Sequence, residues 1–238
     1  PFDNVNVRKA LNLSLDRNVI TDKVLGQGQT PTYVFTPTYI EEGHLIQQPA
    51  YSKEPMAQRN EEAIKLLEEA GYSKANPLKF SILYNTNENH KKVAIAAASM
   101  WKANTKGLID VKLENQEWKT YIDSRRAGRY DAARAGWNAD YNQATTFGNY
   151  FLSNSSNNTA KYANPEYDKA IAESYVATDA EGRAKAYAKA EEILAKDFGI
   201  VPIFNYVNPR LVKPYVKGYS GKDPQDHIYL RNLYIIKH

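Results

Sequence analysis

Short apolar runs alternate with segments of helical periodicity through the middle of this chain, and that alternation limits the fold more than any other feature. Pro77 to Tyr84 reads as a strand, with Leu78, Phe80 and Ile82 apolar. Asn89 to Lys102 reads as an alanine-rich helix, Leu108 to Leu113 as a second strand, Gln116 to Arg126 as a further helix, and Asp131 to Trp137 as a third strand. Strands separated by helices rather than by tight turns predict an α/β fold: a mixed, largely parallel sheet flanked by helices.

The flanking segments fit that class. Pro1 to Leu25 reads as one capped helix stopped by Gly26-Gln-Gly28, and Arg59 to Ala70 as an amphipathic helix ended by Gly71. Thr30 to Pro55 lacks a period and predicts a long ordered loop, the kind that is often functional or a crossover. Asn142 to Asn164 is polar and predicts irregular structure, and Pro165 to Val176 and Glu181 to Lys196 predict two helices. Ile200 to Tyr206 reads as a buried strand, with Pro202 marking an edge or a bulge. Beyond Asn208 the composition turns to Pro, Gly and Tyr with an apolar end, Tyr234-Ile-Ile236, and reads as a segment that packs on something else. No internal repeat is visible.

Composition removes several functions. The 31 basic and 27 acidic residues leave a net charge of +4 without a dense Lys/Arg block, which argues against a nucleic-acid partner. The absence of cysteine removes disulfides, thiolate metal sites and thiol nucleophiles. His44, His90, His227 and His238 lie far apart, without metal-ligand spacing. Gly218-Tyr-Ser220-Gly221 is one residue short of a nucleophile elbow, and Gly26-Gln-Gly28 follows a helix and lacks the third glycine of a dinucleotide fingerprint. Catalysis, metal and cofactor therefore find no support. No apolar run approaches the roughly 18 residues that span a bilayer. The start at Pro1 reads as a cut.

The stretch richest in chemistry is Asp131-Ala-Ala-Arg134-Ala-Gly-Trp137-Asn-Ala-Asp140-Tyr141-Asn142. It leaves an apolar run and delivers a cation, an indole, a carboxylate and a phenol within a few residues. Ligands of α/β sheets sit beyond the carboxyl ends of the strands. A carboxylate held away from water needs a partner, and an outside ammonium group can serve. The plain alternative is an Arg134–Asp140 ion pair with Trp137 as core. If the strands run parallel, Tyr84-Asn85-Thr86 with His90, Asn115 to Trp118, and Trp137 to Tyr141 lie on one rim, where Trp118 and Trp137 can line an apolar pocket. His90 is otherwise a helix-start surface residue, the tryptophans core, and Arg125-Arg126 a solvated helix end.

These residues resemble those of the bacterial oligopeptide-binding proteins, the extracytoplasmic receptors of peptide ABC importers. The likeness rests on Arg134-Ala-Gly-Trp137-x-Ala-Asp140-Tyr141-Asn142, on Val7-Arg8-Lys-Ala10-Leu11 to Leu15-Asp16-Arg17, and on Leu83-Tyr-Asn85-Thr86, His90-Lys-Lys92 and Asn115-Gln-Glu-Trp118-Lys119. Leu152-Ser-Asn-Ser-Ser156, Arg210-Leu-Val-Lys-Pro214 and Gly221-Lys-Asp-Pro224 extend it over nearly the whole chain. Such receptors are about twice this size and close two lobes on a peptide. The resemblance implies that residues 1–208 form the second lobe of a type II-like periplasmic binding protein, and that residues 209–238 return to pack on the N-terminal lobe. It implies a short peptide as ligand, the N-terminal lobe and membrane permease subunits as partners, and a periplasmic or other extracytoplasmic location. By the same likeness, Asp140 takes the peptide's α-ammonium, while Arg134 and His90 meet its C-terminal carboxylate according to length. Trp118, Trp137 and Arg125 line side-chain pockets, and Asn85, Thr159 and Tyr206 lie near the peptide. Asn138 stands where some relatives have a cysteine. Murein-peptide, dipeptide or haem receptors of the same family are the nearest alternatives; a peptidase or a chaperone-like domain is the alternative from another class.

Overall fold

The computed structural model describes residues 1–221, 223 and 226–238. In chain order its helices are α1 (Val5–Leu13), the single turn α2 (Arg17–Val19), α3 (Met56–Glu69), α4 (Glu88–Asn104), α5 (Trp118–Arg126), the single turn α6 (Thr145–Gly148), α7 (Pro165–Val176) and α8 (Ala180–Lys196). Its strands are β1 (Thr30–Pro31), β2 (Leu78–Asn85), β3 (Ile109–Gln116), β4 (Ala132–Ala133), β5 (Phe204–Asn205), β6 (Val216–Lys217) and β7 (Tyr234–Ile235).

The centre is a three-stranded parallel sheet in the order β3-β2-β4. Leu78 pairs with Ile109 and Asn85 with Gln116, while Ile82 and Leu83 pair with Ala132 and Ala133. As the middle strand, β2 buries Leu78, Phe80, Ile82, Leu83 and Tyr84, a nearly continuous apolar run of the kind parallel sheets require. The edge strand β3 alternates instead, with Asp110 and Lys112 turned to water. One core packs α1, α3 and α4 on this sheet through Leu11, Leu67, Phe80 and Trp101. The Trp101 indole N–H donates to the Leu11 carbonyl at 2.9 Å, so the buried ring leaves no polar atom unpaired. A second core, rich in aromatics, joins α6, α7 and α8 through Phe147, Tyr150, Phe151, Tyr167 and Tyr187.

Three expectations need correction. Pro1 to Leu25 is not one helix. Ser14 folds its hydroxyl back on the Ala10 carbonyl (2.6 Å), and Asp16 caps a new turn by accepting the N–H groups of Asn18 and Val19. A wider π-type turn, Ile20–Leu25, follows and ends at Gly26 with φ +63°. The restart puts Arg17 inside the protein. It is fully buried, donates to the carbonyls of Asn12, Leu15, Thr32 and Pro202, and lies 4.1 Å above the Tyr33 ring. A buried guanidinium surrounded by carbonyls is satisfied without a carboxylate.

The third sheet strand is two residues long rather than seven. The Arg134 N–H still donates to the Leu83 carbonyl (2.8 Å), but the Arg134 carbonyl accepts from the Tyr121 hydroxyl and leaves the ladder. Likewise, Ile200 to Asn205 is half-buried, Tyr206 is exposed, and the ladder, antiparallel to β1, is confined to Phe204–Asn205. Side chains take two of its carbonyls, Asn12 that of Ile200 and Arg17 that of Pro202, while the Ile203 carbonyl accepts the Thr32 N–H at 3.0 Å.

Beyond residue 210 the chain forms the β6–β7 pair and exposes Leu211, Tyr229, Leu230, Tyr234 and Ile235. Within the Gly221-Lys-Asp-Pro224 segment, Lys222 and Pro224 lie outside the described residues. Among the described residues no helix is long and apolar enough to cross a membrane.

Candidate functional site

Because β2, β3 and β4 run parallel, their carboxyl ends share one rim, and most of the candidate side chains stand there. Asn85 closes β2 and is buried; its side-chain oxygen meets His90 Nδ1 at 2.8 Å. Asn87 caps α4 by accepting the His90 N–H at 3.1 Å, which fixes where the imidazole starts. With the Asn85 oxygen as acceptor, Nδ1 carries the proton and Nε2 is left to accept. Partial burial, and then the nearby Arg134 guanidinium, lower the His90 pKa from 6.5 to about 4. The ring is neutral at physiological pH.

Arg134 and Asp140 do not pair with each other, so the plain ion-pair alternative falls. Arg134 is half-buried; its Nη2 donates to the Tyr206 hydroxyl, with Cζ 5.6 Å from that ring's centroid. Among the described residues it has no carboxylate partner. Asp140 is exposed in this chain rather than held away from water. Its Oδ2 accepts from the Thr146 hydroxyl at 3.1 Å, and it has no cationic partner among the described residues. The same Thr146 oxygen accepts the Asp140 backbone N–H at 3.0 Å and the Trp137 indole N–H at 3.4 Å. One hydroxyl, with one donor and two acceptor positions, thus joins the indole and the acid. Nothing in the sequence marks Thr146, which lies in the one-turn helix α6.

Trp137 is half-buried and meets Tyr150 edge-on at 5.0 Å, so it is part core and part surface. Trp118 opens α5, is 56% exposed and lies 5.7 Å from Tyr121; the pocket wall expected of it is open in this chain. Arg125 sits between these two aromatic pairs. Its Nη2 donates to the hydroxyls of Tyr150 and Thr159, both at 3.0 Å, and its Nη1 reaches the Tyr121 hydroxyl at 3.5 Å. Arg125 is therefore not a solvated helix end. It too lacks a carboxylate among the described residues, and its buried Nε has no partner. Tyr121 and Tyr150 are buried and were not among the residues singled out; two tyrosines among 18 carry no sequence signal.

Among the described candidate residues, Arg125 and Arg134 thus have no acid and Asp140 has no cation, and all three stand among aromatic rings. The rim is an open surface. An open cleft of about 440 Å³ beside Tyr141, Tyr175 and Tyr187 takes in none of the candidate residues. Among the described residues no cluster of side chains suits a metal ion.

Residues 1–159 match the model of the bacterial extracellular solute-binding proteins, family 5 (middle region). Over all 238 residues the chain is 98% identical to the periplasmic oligopeptide-binding protein OppA of Haemophilus influenzae, of which it covers 44%. It is 44% identical to the periplasmic murein peptide-binding protein MppA of Escherichia coli, again covering 44% of that protein. The crystal structure of Haemophilus influenzae OppA in complex with RPPGFSPFR superposes with a TM-score of 0.93 at 97% identity, over 100% of this chain and 46% of that one. The chain spans less than half the length of each of these relatives, and with a family model covering residues 1–159 it belongs to family 5 of the bacterial extracellular solute-binding proteins.

Proposed function

We propose that residues 1–208 are the second lobe of a two-lobed receptor that binds short peptides in the periplasm for an ABC importer, with residues 209–238 packing on the N-terminal lobe. The observation that carries this reading is the set of unpaired charges on the rim. A peptide is a zwitterion, and a surface offering a separate acid and separate cations suits its two ends. Asp140, oriented by Thr146, receives the α-ammonium; Arg134, with neutral His90 beside it, receives the C-terminal carboxylate. Trp118, Trp137 and Arg125 border side-chain pockets, with Asn85, Thr159 and Tyr206 supporting them. Extended backbone pairing supplies affinity without reading sequence, and water in roomy pockets accommodates different side chains. The openness of the rim agrees with a site completed by a second lobe.

No chemical step is proposed. The ligand contacts both lobes, so it favours the closed receptor, and the closed form is what membrane permease subunits recognise. The relatives named above are binding proteins, which supports this over a peptidase. A second reading within the family is a murein-peptide receptor. It is favoured by Arg125, whose hydroxyl-only surroundings leave a cation free to meet an acidic ligand group. Mass spectrometry of material released on denaturing the two-lobed receptor tests both. Short peptides of mixed sequence are expected; a single acidic murein fragment selects the second reading, and haem or no peptide overturns the first.

A further inference from the structure

We propose that Tyr206 is a positioning residue for Arg134: it holds the guanidinium ready for the ligand's carboxylate and ties it to the segment that leaves the lobe. The proposal deepens the function above and rests on Arg134 being the carboxylate acceptor. The stem of Arg134 is already fixed from two sides, by its N–H on the Leu83 carbonyl (2.8 Å) and by the Tyr121 hydroxyl on its carbonyl. Only the head of a long, rotamer-rich side chain remains to be ordered, and Tyr206 orders it. The phenol oxygen accepts from Nη2, and the ring lies 5.6 Å from Cζ. A guanidinium has five N–H donors, so one bond to a phenol leaves the rest for a carboxylate.

Gly136 is the independent observation. Its φ is not in the left-handed region, so the backbone does not call for glycine. A Cβ there would overlap the hydroxyl and ring of Tyr206. The glycine two residues beyond Arg134 makes room for this ring. Tyr206 is in turn held from the core outward. Arg17 grips the Pro202 carbonyl at 2.7 Å, β5 pairs with β1, and Phe204 meets Tyr206 edge-on at 5.6 Å. Ordering the cation before the ligand arrives removes part of the entropy lost on binding.

Calorimetry on the two-lobed receptor tests this with tri- and tetra-alanine, each as free acid and as C-terminal amide. Tyr206→Phe keeps the ring and removes the acceptor. It is expected to weaken the acid by about fivefold and the amide by a clearly smaller factor. Gly136→Ala, which displaces the ring, is expected to act in the same direction. In an Arg134→Ala background, Tyr206→Phe is expected to add nothing. Equal weakening of acid and amide by Tyr206→Phe, or no weakening of either, overturns the positioning role while Arg134 remains the acceptor. If the parent receptor binds acid and amide alike and Arg134→Ala changes neither, the carboxylate role of Arg134 fails, and the proposal fails with it.

Discussion

Thr146 and His90 show how single side chains set the chemistry of this rim. The Thr146 hydroxyl spends its donor on Asp140 and its acceptor positions on the Asp140 backbone and the Trp137 indole. The acid is thereby aimed but not neutralised. Replacing Asp140 by Asn keeps the shape and removes the charge. In the two-lobed receptor this is expected to weaken peptides with a free amino terminus by about 100-fold, and N-acetylated peptides far less. Calorimetry on the two peptide forms checks it; equal losses would remove Asp140 from the ammonium role. His90 makes a pH prediction. Its pKa is lowered to about 4, first by burial and then by Arg134, against 6.5 when unperturbed. Between pH 6.5 and 4 the unfolded chain takes up a proton that the native ring refuses. His90's contribution to stability is therefore complete above 6.5 and declines as the pH falls toward 4. A ring-proton NMR titration is expected to show a midpoint near 4 for His90; a midpoint above 6 would contradict the burial account.

At the scale of elements, the long loop between β1 and α3 is held by helix α8. Glu191, buried on α8, accepts the N–H of Phe35 at 2.5 Å and that of Thr36 at 3.2 Å. Glu191→Ala leaves both donors without a partner and is expected to cost about 3 kcal/mol, read as a lower urea midpoint with an unchanged slope. An unchanged midpoint would show that water replaces the carboxylate. This clamp could not be read from the sequence, because it joins residues more than 150 positions apart. What was legible follows the same logic in reverse. α3, α4, α7 and α8 are amphipathic or alanine-rich and carry local stop and start signals, so their bounds fall within a few residues of those read. β2 and β3 are long apolar or alternating runs and were also found. The failures are places where side chains compete for backbone groups. Asp16 and Ser14 break the first helix, Tyr121 ends β4 early, and Arg17 and Asn12 take the Pro202 and Ile200 carbonyls. For the site, the rim followed from strand direction, but its orienting hydroxyls Tyr121, Thr146 and Tyr150 did not, because their roles arise only after folding.

At the scale of the whole molecule, the proposed N-terminal lobe decides how tightly a peptide is held. The rim is open, Asp140 is exposed, and Trp118 stands mostly in water. A peptide lying on it would bury one side and leave the other hydrated. Association also costs several kcal/mol in lost translational and rotational freedom, before side chains are ordered. Contacts from one side offset little of that, whereas a second lobe adds contacts against the same initial cost and excludes water from the charges, which strengthens them. The chain alone is therefore expected to show no saturable binding of tri- or tetrapeptides below about 1 mM, and the two-lobed receptor binding about 1000-fold tighter. Micromolar binding by the chain alone would contradict the two-lobe account. The tail gives a second reading of the same boundary. The β6–β7 pair bonds within itself, Asp226 bonds to Asn208 and Arg210, and Leu211, Leu230 and Ile235 meet solvent. Deleting residues 209–238 is then expected to leave the melting temperature of the isolated chain within about 2 °C, because the removed segment is largely exposed and its bond from Asp226 to Asn208 is a surface contact. If residues 209–238 pack on the N-terminal lobe as proposed, the same deletion lowers it substantially in the two-lobed receptor. A large loss in the isolated chain would move the boundary and place the tail within the second lobe.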